Sequence, residues 1–305
     1  VNLFTAADIP PQTGKFAIVT GANSGLGYDT ALELARAGAE VVIAARNELK
    51  GLTAAASIAD KVPGAKITFE MLDLASLASV AAFAGRIADS HASLDILVNN
   101  AGLMALPKRQ TTEDGFETQF GVNYLGHFAL TARLQPLLRN APTPRAVQLS
   151  SLVHSAGKID FGDLQGTKYS AFKAYSQSKL AMLIFALELQ RRADANGWNL
   201  RSTAAHPGLA KSELIANGPG AKGLAGRASR LAVRLFGQSS AEGALPTLLA
   251  ATAPEAAPAG YYGPIGFQEL RGAGGPAKIA KQALDPDTAR KLWQVSEQLT
   301  GTTFS

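Results

Sequence analysis

The sequence predicts an α/β fold: a single doubly wound domain in which a parallel sheet of about seven strands carries helices on both faces. Three observations predict it. Short, continuous apolar runs alternate with segments whose apolar residues recur at helical spacing, and strands that alternate with helices pair in parallel through right-handed crossovers. A glycine-rich loop joins the first strand to the first helix. No linker, composition shift or internal repeat divides the series. At 305 residues the chain exceeds the roughly 250–300 residues at which cores usually divide, so the unbroken alternation decides for one domain over two.

Each element follows in order. After a polar lead holding Ile9-Pro10-Pro11, Phe16–Thr20 is a short apolar run ending in the glycine loop, the pattern of a strand buried on both faces. Leu26, Thr30, Leu34 and Ala37 then recur at helical spacing until Gly38 stops the run, and residues 41–45 form the second strand. A helix at 48–59, a turn at Pro63-Gly64, a strand at 67–72, a helix at 77–88 and a strand at 94–99 continue the alternation. A long helical pattern at about 114–138 leads through Ala141-Pro142-Thr143-Pro144 to a strand at 146–150, and a second long helix at 172–196 leads to a strand at 199–205. Residues 218–238 lack strand signals and read as a loop with a short amphipathic helix. A helix at 241–250, a last strand beginning at Tyr261-Tyr262 and a closing helix at Pro286–Thr300 complete the chain.

Composition removes several function classes. Hydrophobic residues make up 47% and charged residues 17%, below the usual ~25%, which excludes disorder as the main description. The absence of cysteine removes disulfides, thiolate catalysis and cysteine-based zinc sites. The four histidines form no pair at ligand spacing, so no metal is expected. The longest apolar run, 180–187, closes at Glu188, far short of the ~18 residues of a membrane span. Residues 1–14 lack a signal-like apolar stretch, and a cytoplasmic protein is expected. The net charge of +5 comes from scattered Lys and Arg with only 7% aromatics; it reads as a solvated surface with no nucleic-acid partner.

Two constellations carry chemistry. The loop Thr20-Gly21-Ala22-Asn23-Ser24-Gly25-Leu26-Gly27 lies between a strand and a helix, where glycines let a pyrophosphate approach backbone N–H groups and the helix N-terminus favours its charge. Such a loop, a Rossmann-type signature, also serves as a plain turn. At the end of the second strand an acidic side chain would hold the adenosine ribose, whereas a cation there pairs with a 2′-phosphate. The sequence places Ala44-Ala45-Arg46-Asn47 there, which favours NADP over NAD because a guanidinium meets a phosphate bidentately. The second constellation is Tyr175 and Lys179, four apart on one helix face. An ammonium ~4 Å from a phenol is worth ~4 kcal/mol at an effective dielectric of ~20, enough to lower the phenol pKa from ~10 by up to ~3. Alone, such a pair is ordinarily a surface feature.

Together these residues resemble the short-chain dehydrogenase/reductase family. The resemblance runs in the family's order through Thr20 to Gly27, Asp73-Leu74, Asn99-Asn100-Ala101-Gly102, Asn123, Ser150-Ser151, Tyr175 with Lys179, and Pro207-Gly208. Residues 122–128 and 174–180 look most like the retinol dehydrogenase and protochlorophyllide reductase branch. The resemblance implies NADP(H) as cofactor and four catalytic residues. Tyr175 would be the general acid and base, and Ser151 would stabilise the substrate oxygen. Lys179 would hold the nicotinamide ribose and lower the Tyr175 pKa, and Asn123 would anchor a water between Lys179 and solvent. Ser151 is preferred to Ser150 because the second serine matches the family position. The insert 153–174, with Phe161-Gly162-Asp163-Leu164, resembles one in the retinol dehydrogenase branch.

For the cofactor, the resemblance implies Gly21, Asn23, Ser24, Gly25, Leu26, Gly27 and Arg46 around the phosphates and adenosine, and Asp73 and Leu74 around the adenine. Asn100, Ala101 and Gly102 would border the ribose, beside Tyr175 and Lys179, and Pro207, Gly208, Leu209 and Ser212 the nicotinamide. A core at 15–263, a substrate lid at about 210–238 and a tail at 264–305 follow. In the lid, Leu224, Ala228, Leu231 and Leu235 make an apolar stripe and Arg227, Arg230 and Arg234 another face. A solvated basic face is the expectation, a lid resting on a membrane the rival. With Leu103-Met104-Ala105-Leu106 as apolar wall, the substrate is expected to be a lipophilic ketone, aldehyde or secondary alcohol. The alternatives are a C=C reductase and a non-catalytic NADP(H)-binding regulator. His154 is expected to be solvated, His206 to close a strand and His127 to be packed. The two long helices resemble those the family uses for oligomer contacts, implying a homodimer or homotetramer.

Overall fold

The strands are apolar on both faces, and successive side chains feed two separate cores. In the computed structural model, which describes residues 3–104, 106–210 and 237–305, the first strand, β1 (Phe16–Thr20), is buried throughout. Ile18 points into one core, Ala17 and Val19 into the other. The helix α1 (Gly25–Arg36), β2 (Glu40–Ala45), α2 (Glu48–Lys61), β3 (Ile67–Met71), α3 (Leu77–Ser90) and β4 (Ile96–Asn99) follow as the sequence predicts. Asn47 starts α2 by accepting from Lys50 N, and Ser76 starts α3 by accepting from Ser79 N, both satisfying orphan helix N–H groups.

The expected helix at 114–138 begins later and is broken. Thr111 and Glu117 pair as an isolated antiparallel bridge around a turn in which Gly115 N donates to the Thr112 carbonyl at 3.0 Å, so the segment before Thr118 doubles back on itself and is not helical. Glu117 then caps a single turn, α4 (Thr118–Phe120), by accepting from Gln119 N and Phe120 N. A π-turn over Gly121–Leu125 follows, and α5 (Gly126–Asn140) continues the rod. Beyond β5 (Arg145–Leu149) the second long helix, α6 (Ala171–Asn196), is continuous and ends at Gly197 in the left-handed region. Among the described residues, the further strands and α-helices are β6 (Arg201–Ala205), α7 (Ser240–Thr252), β7 (Tyr261–Pro264), β8 (Gly274–Pro276) and α8 (Pro286–Thr300).

The sheet order is β3-β2-β1-β4-β5-β6-β7-β8. The first seven strands pair in parallel, and β8 adds an antiparallel edge. This eighth strand is a finding beyond the sequence reading: Gly274-Gly275-Pro276 has no strand propensity and pairs because the chain turns back on β7. The helices α1, α2 and α7 pack on one face and α3, α5, α6 and α8 on the other. The order reverses between β1 and β4, and doubly wound folds bind ligands at that crevice. On the outer side of α5 and α6, α8 and the C-terminus seat an aromatic cluster. Trp293 lies 5.1 Å from Phe128 and 4.5 Å from Phe304, centroid to centroid, and Trp198 stacks on Phe304 at 6.4 Å. These two long helices are thus partly covered from within the chain. The lid stripe and arginines, and Ser212, lie outside the described residues.

Candidate active site

β1 ends in the middle of the sheet at Thr20, whose hydroxyl joins the two central loops. Its Oγ1 accepts from the N–H groups of Asn100 and Ala101, each at 2.9 Å, and Asn100 Nδ2 donates to the Thr20 carbonyl at 2.7 Å. A Cβ on Gly27 would stand 2.5 Å from Asn100 Nδ2, so only glycine allows helix and loop this close. A Cβ on Gly25, by contrast, would meet nothing within 4 Å. It would take up open space in a cleft of ≈ 830 Å³, a volume in the range of ligand sites.

That cleft gathers Ser151 and the whole expected cofactor set except Ser212, from Gly21 through Arg46, Asp73 and Asn100 to Tyr175, Lys179 and Leu209. Asp73 is partly tied down, its Oδ1 accepting from Ala75 N at 2.9 Å. Arg46 is exposed at the strand end. Lys50, on the first turn of α2, lines the same end of the cleft and was missed by the sequence reading, although its place four residues after Arg46 was a usable signal. The donor set suits a phosphorylated dinucleotide. It offers a helix N-terminus with an open glycine cradle at its centre, two cations at one end, and a phenol, a hydroxyl and an amine at the other.

At that far end Ser150 and Ser151 part company, as alternation along an extended strand end requires. Ser150 is 2% exposed and donates to the Lys179 carbonyl at 2.8 Å. Ser151 hydrogen-bonds the Tyr175 side chain. The Tyr175 phenol is buried, and burial pushes it up to about 12, opposed by that bond. Lys179 is 5% exposed; its Nζ donates to the Leu149 carbonyl at 3.0 Å and lies 5.9 Å from the Tyr175 ring centroid. Burial pushes its ammonium down to about 8. The sequence expectation that Lys179 lowers the Tyr175 pKa is therefore not met. The ammonium is bonded to a backbone carbonyl instead of the phenol, and desolvation disfavours both charged forms.

Asn123 does not line the cleft. It sits fully buried in the π-turn behind Gly102, its Oδ1 accepting from Leu103 N at 2.8 Å and its Nδ2 donating to Leu103 O at 3.0 Å and Ser178 Oγ at 2.9 Å. It clamps the wall of the cleft to α6. One turn on, His127 is packed as expected: Nδ1 donates to the Asn123 carbonyl at 2.9 Å, and Nε2 lies 2.9 Å from Thr20 Oγ1. Burial, with a smaller push from Lys179, takes this imidazole down to about 3, so it is neutral.

His154 corrects the sequence reading. It is 4% exposed, not solvated, with Nδ1 donating to the Ser151 carbonyl at 2.7 Å and Nε2 accepting from Ala280 N at 3.3 Å. The C-terminal segment covers it, a long-range contact that local sequence could not reveal. Leu103, Met104, Leu106, Leu152 and Val153 supply apolar wall beside Tyr175; Ala105 lies outside the described residues. Among the described residues, no helix is long and apolar enough to cross a membrane.

Comparison with known proteins agrees with this geometry. The family model described as short chain dehydrogenase matches residues 15–219. Mouse (Mus musculus) polyprenol dehydrogenase is 41% identical over 302 residues, covering 96% of this chain and 86% of the relative. Human (Homo sapiens) retinol dehydrogenase 13 is 42% identical over 293 residues, covering 94% and 85%. The crystal structure of an uncharacterised protein from Mycobacterium paratuberculosis superposes with a TM-score of 0.81 at 40% identity, covering both chains completely. A family match over more than half of the residues, and relatives alike along nearly the whole length, lead to one conclusion: this chain belongs to the short-chain dehydrogenase family.

Proposed function

We propose that the chain is an NADP(H)-dependent carbonyl reductase or alcohol dehydrogenase acting on a lipophilic ketone, aldehyde or secondary alcohol. The observation that carries this reading is the hydrogen-bonded pair Tyr175 and Ser151, set with Lys179 at one end of a cleft whose other end holds Arg46 and Lys50. Arg46 and Lys50, with Ala45 where a carboxylate would exclude it, support a 2′-phosphate. The apolar wall supports a lipophilic substrate, as do relatives named for retinol and polyprenol.

When bound, the dihydronicotinamide supplies the hydride that reduces the carbonyl carbon. The chain's own residues handle the oxygen. Ser151 and Tyr175 donate hydrogen bonds to it and stabilise the negative charge that develops there. The Tyr175 proton passes to this oxygen, giving the alcohol and a phenolate, and the cationic Lys179 nearby stabilises that phenolate. In the reverse direction Tyr175 accepts the alcohol proton. With its phenol above the ordinary range, Tyr175 is protonated at neutral pH, which suits reduction. Asn123 positions Leu103 and α6, and so the distance from wall to phenol.

Tyr175→Phe tests the reading in an NADPH-oxidation screen over aromatic, aliphatic and terpenoid ketones and aldehydes. Turnover is expected to vanish while NADPH still binds. An active Tyr175→Phe enzyme sinks the mechanism, and a saturated ketone as product from an enone would move the reaction to the C=C bond.

A further inference from the structure

The loop between β7 and β8 holds two successive non-glycine residues in the left-handed region, Gln268 at φ 50 and Glu269 at φ 58. Side chains with a Cβ rarely adopt this conformation, and it persists where the surroundings over-determine it. What surrounds Glu269 is the back of the candidate active site. Its Oε2 lies 3.1 Å from Nε2 of His206, the fully buried residue that follows β6. Nδ1 of the same ring accepts from Gly208 N at 3.2 Å. The ring proton therefore sits on Nε2 and is donated to the carboxylate. Oε1 of Glu269 accepts from Lys278 N at 3.1 Å, so both carboxylate oxygens are engaged.

The backbone is cleared for this contact. A Cβ on Gly263 would stand 1.9 Å from His206 Nε2, and one on Gly208 (φ +61) would stand 2.5 Å from the Leu270 carbonyl. Leu209 N donates to that same carbonyl at 2.7 Å. The turn from Pro207 to Leu209 is thus bonded to residues 269 and 270 through one imidazole and one peptide. Its opposite side lines the cleft at the Tyr175 and Lys179 end. A carboxylate that orients an imidazole, which in turn fixes the group in contact with ligand, is a recurrent way to hold a site rigid.

We propose that Glu269, acting through His206, is the positioning residue for the turn Pro207 to Leu209 and so sets the affinity for the nicotinamide half of the cofactor. The inference rests on the dinucleotide reading above. Glu269 touches no reacting atom.

Two variants and two ligands test it. Glu269→Gly removes the carboxylate while suiting a φ of 58, so the backbone gains freedom from strain and the protein keeps its fold. Glu269→Gln keeps one acceptor oxygen for the imidazole. Dissociation constants are measured by calorimetry for NADPH and for adenosine 2′,5′-bisphosphate, which carries the phosphorylated adenosine half without nicotinamide. Glu269→Gly is expected to raise the Kd for NADPH about ten-fold, the scale of one lost charge-assisted hydrogen bond. Its affinity for the bisphosphate stays at the parent value, and Glu269→Gln recovers most of the NADPH loss. Equal weakening of both ligands would mean a general structural role and overturn the proposal. So would unchanged NADPH binding in Glu269→Gly. A parent protein that binds neither ligand would remove the dinucleotide reading itself, an outcome distinct from failure of the variants.

Discussion

Lys179→Met should make the protein more stable while abolishing turnover. Lys179 is nearly fully buried and its Nζ has a backbone carbonyl as partner. Burial takes its pKa from the ordinary 10.5 to about 8, which corresponds to roughly 3 kcal/mol spent at neutral pH on keeping the ammonium charged inside the fold. Methionine fills similar space without charge. It forfeits the bond to Leu149, worth about 1.5 kcal/mol for a charged donor, which leaves a net gain of about 1–2 kcal/mol and a Tm higher by about 2–3 °C. The sign follows from linkage. Between pH 8 and 10.5 the folded lysine has released its proton and the unfolded one retains it, so the parent gains stability as pH rises, by up to about 1.4 kcal/mol per pH unit. The advantage of Lys179→Met should therefore be constant below pH 8 and shrink above it. Urea melts of both proteins at pH 7 and 9.5, beside an NADPH-oxidation assay, measure this. A Lys179→Met protein less stable than the parent at pH 7, or a gap that does not change with pH, would refute the reasoning.

Other expectations concern the rest of the site. Arg46→Ala combined with Lys50→Ala should raise the KM for NADPH at least about ten-fold and leave that for NADH within about two-fold; equal effects on both would remove the argument for a 2′-phosphate. His127, His154 and His206 are all held below the ordinary imidazole value by burial. The histidine contribution to stability should therefore be full above pH 6.5 and fall as acid protonates the unfolded histidines first, by up to about 1.4 kcal/mol per pH unit for each ring; denaturant melts that coincide at pH 7 and 5 would contradict this. Gly263→Ala, which drives a methyl into His206, should lower stability by about 1–3 kcal/mol, read as a lower urea midpoint.

The parts of this molecule legible in its sequence are those fixed by local pattern. β1 and α8 have the predicted bounds, and most other elements fall within about two residues, because buried parallel strands are written as continuous apolar runs and helices by period. Ser151 was preferred to Ser150 on the family position it matches, and the two serines do have different partners, as alternation requires. The π-turn at Gly121–Leu125 was not legible: an added residue shifts the helical phase by about 100°, but the rod is buried on nearly every side here, so its apolar pattern carries no mark of the shift. The state of Tyr175 and Lys179 was misjudged for a different reason. Spacing places two groups on one face of a helix, but desolvation, set by the surrounding packing, decides their charge. The contacts of His154 and Glu269 depend on the chain returning over more than fifty residues, which no window along the sequence contains, and β8 is made by pairing with β7 where glycine and proline give no strand signal.

The aromatic cluster under α8 has a practical consequence for every experiment proposed above. Both tryptophans of the chain lie in it, and Arg192 sits 4.2 Å above the Trp293 ring. Intrinsic tryptophan emission therefore reports whether the C-terminal helix is docked on α5 and α6. If that helix detaches before the sheet melts, emission will shift early, while circular dichroism and NADPH binding hold. The two optical signals then become separate gauges of the seal and of the catalytic sheet, and their midpoints should be compared before any one Tm is taken as the stability of the whole.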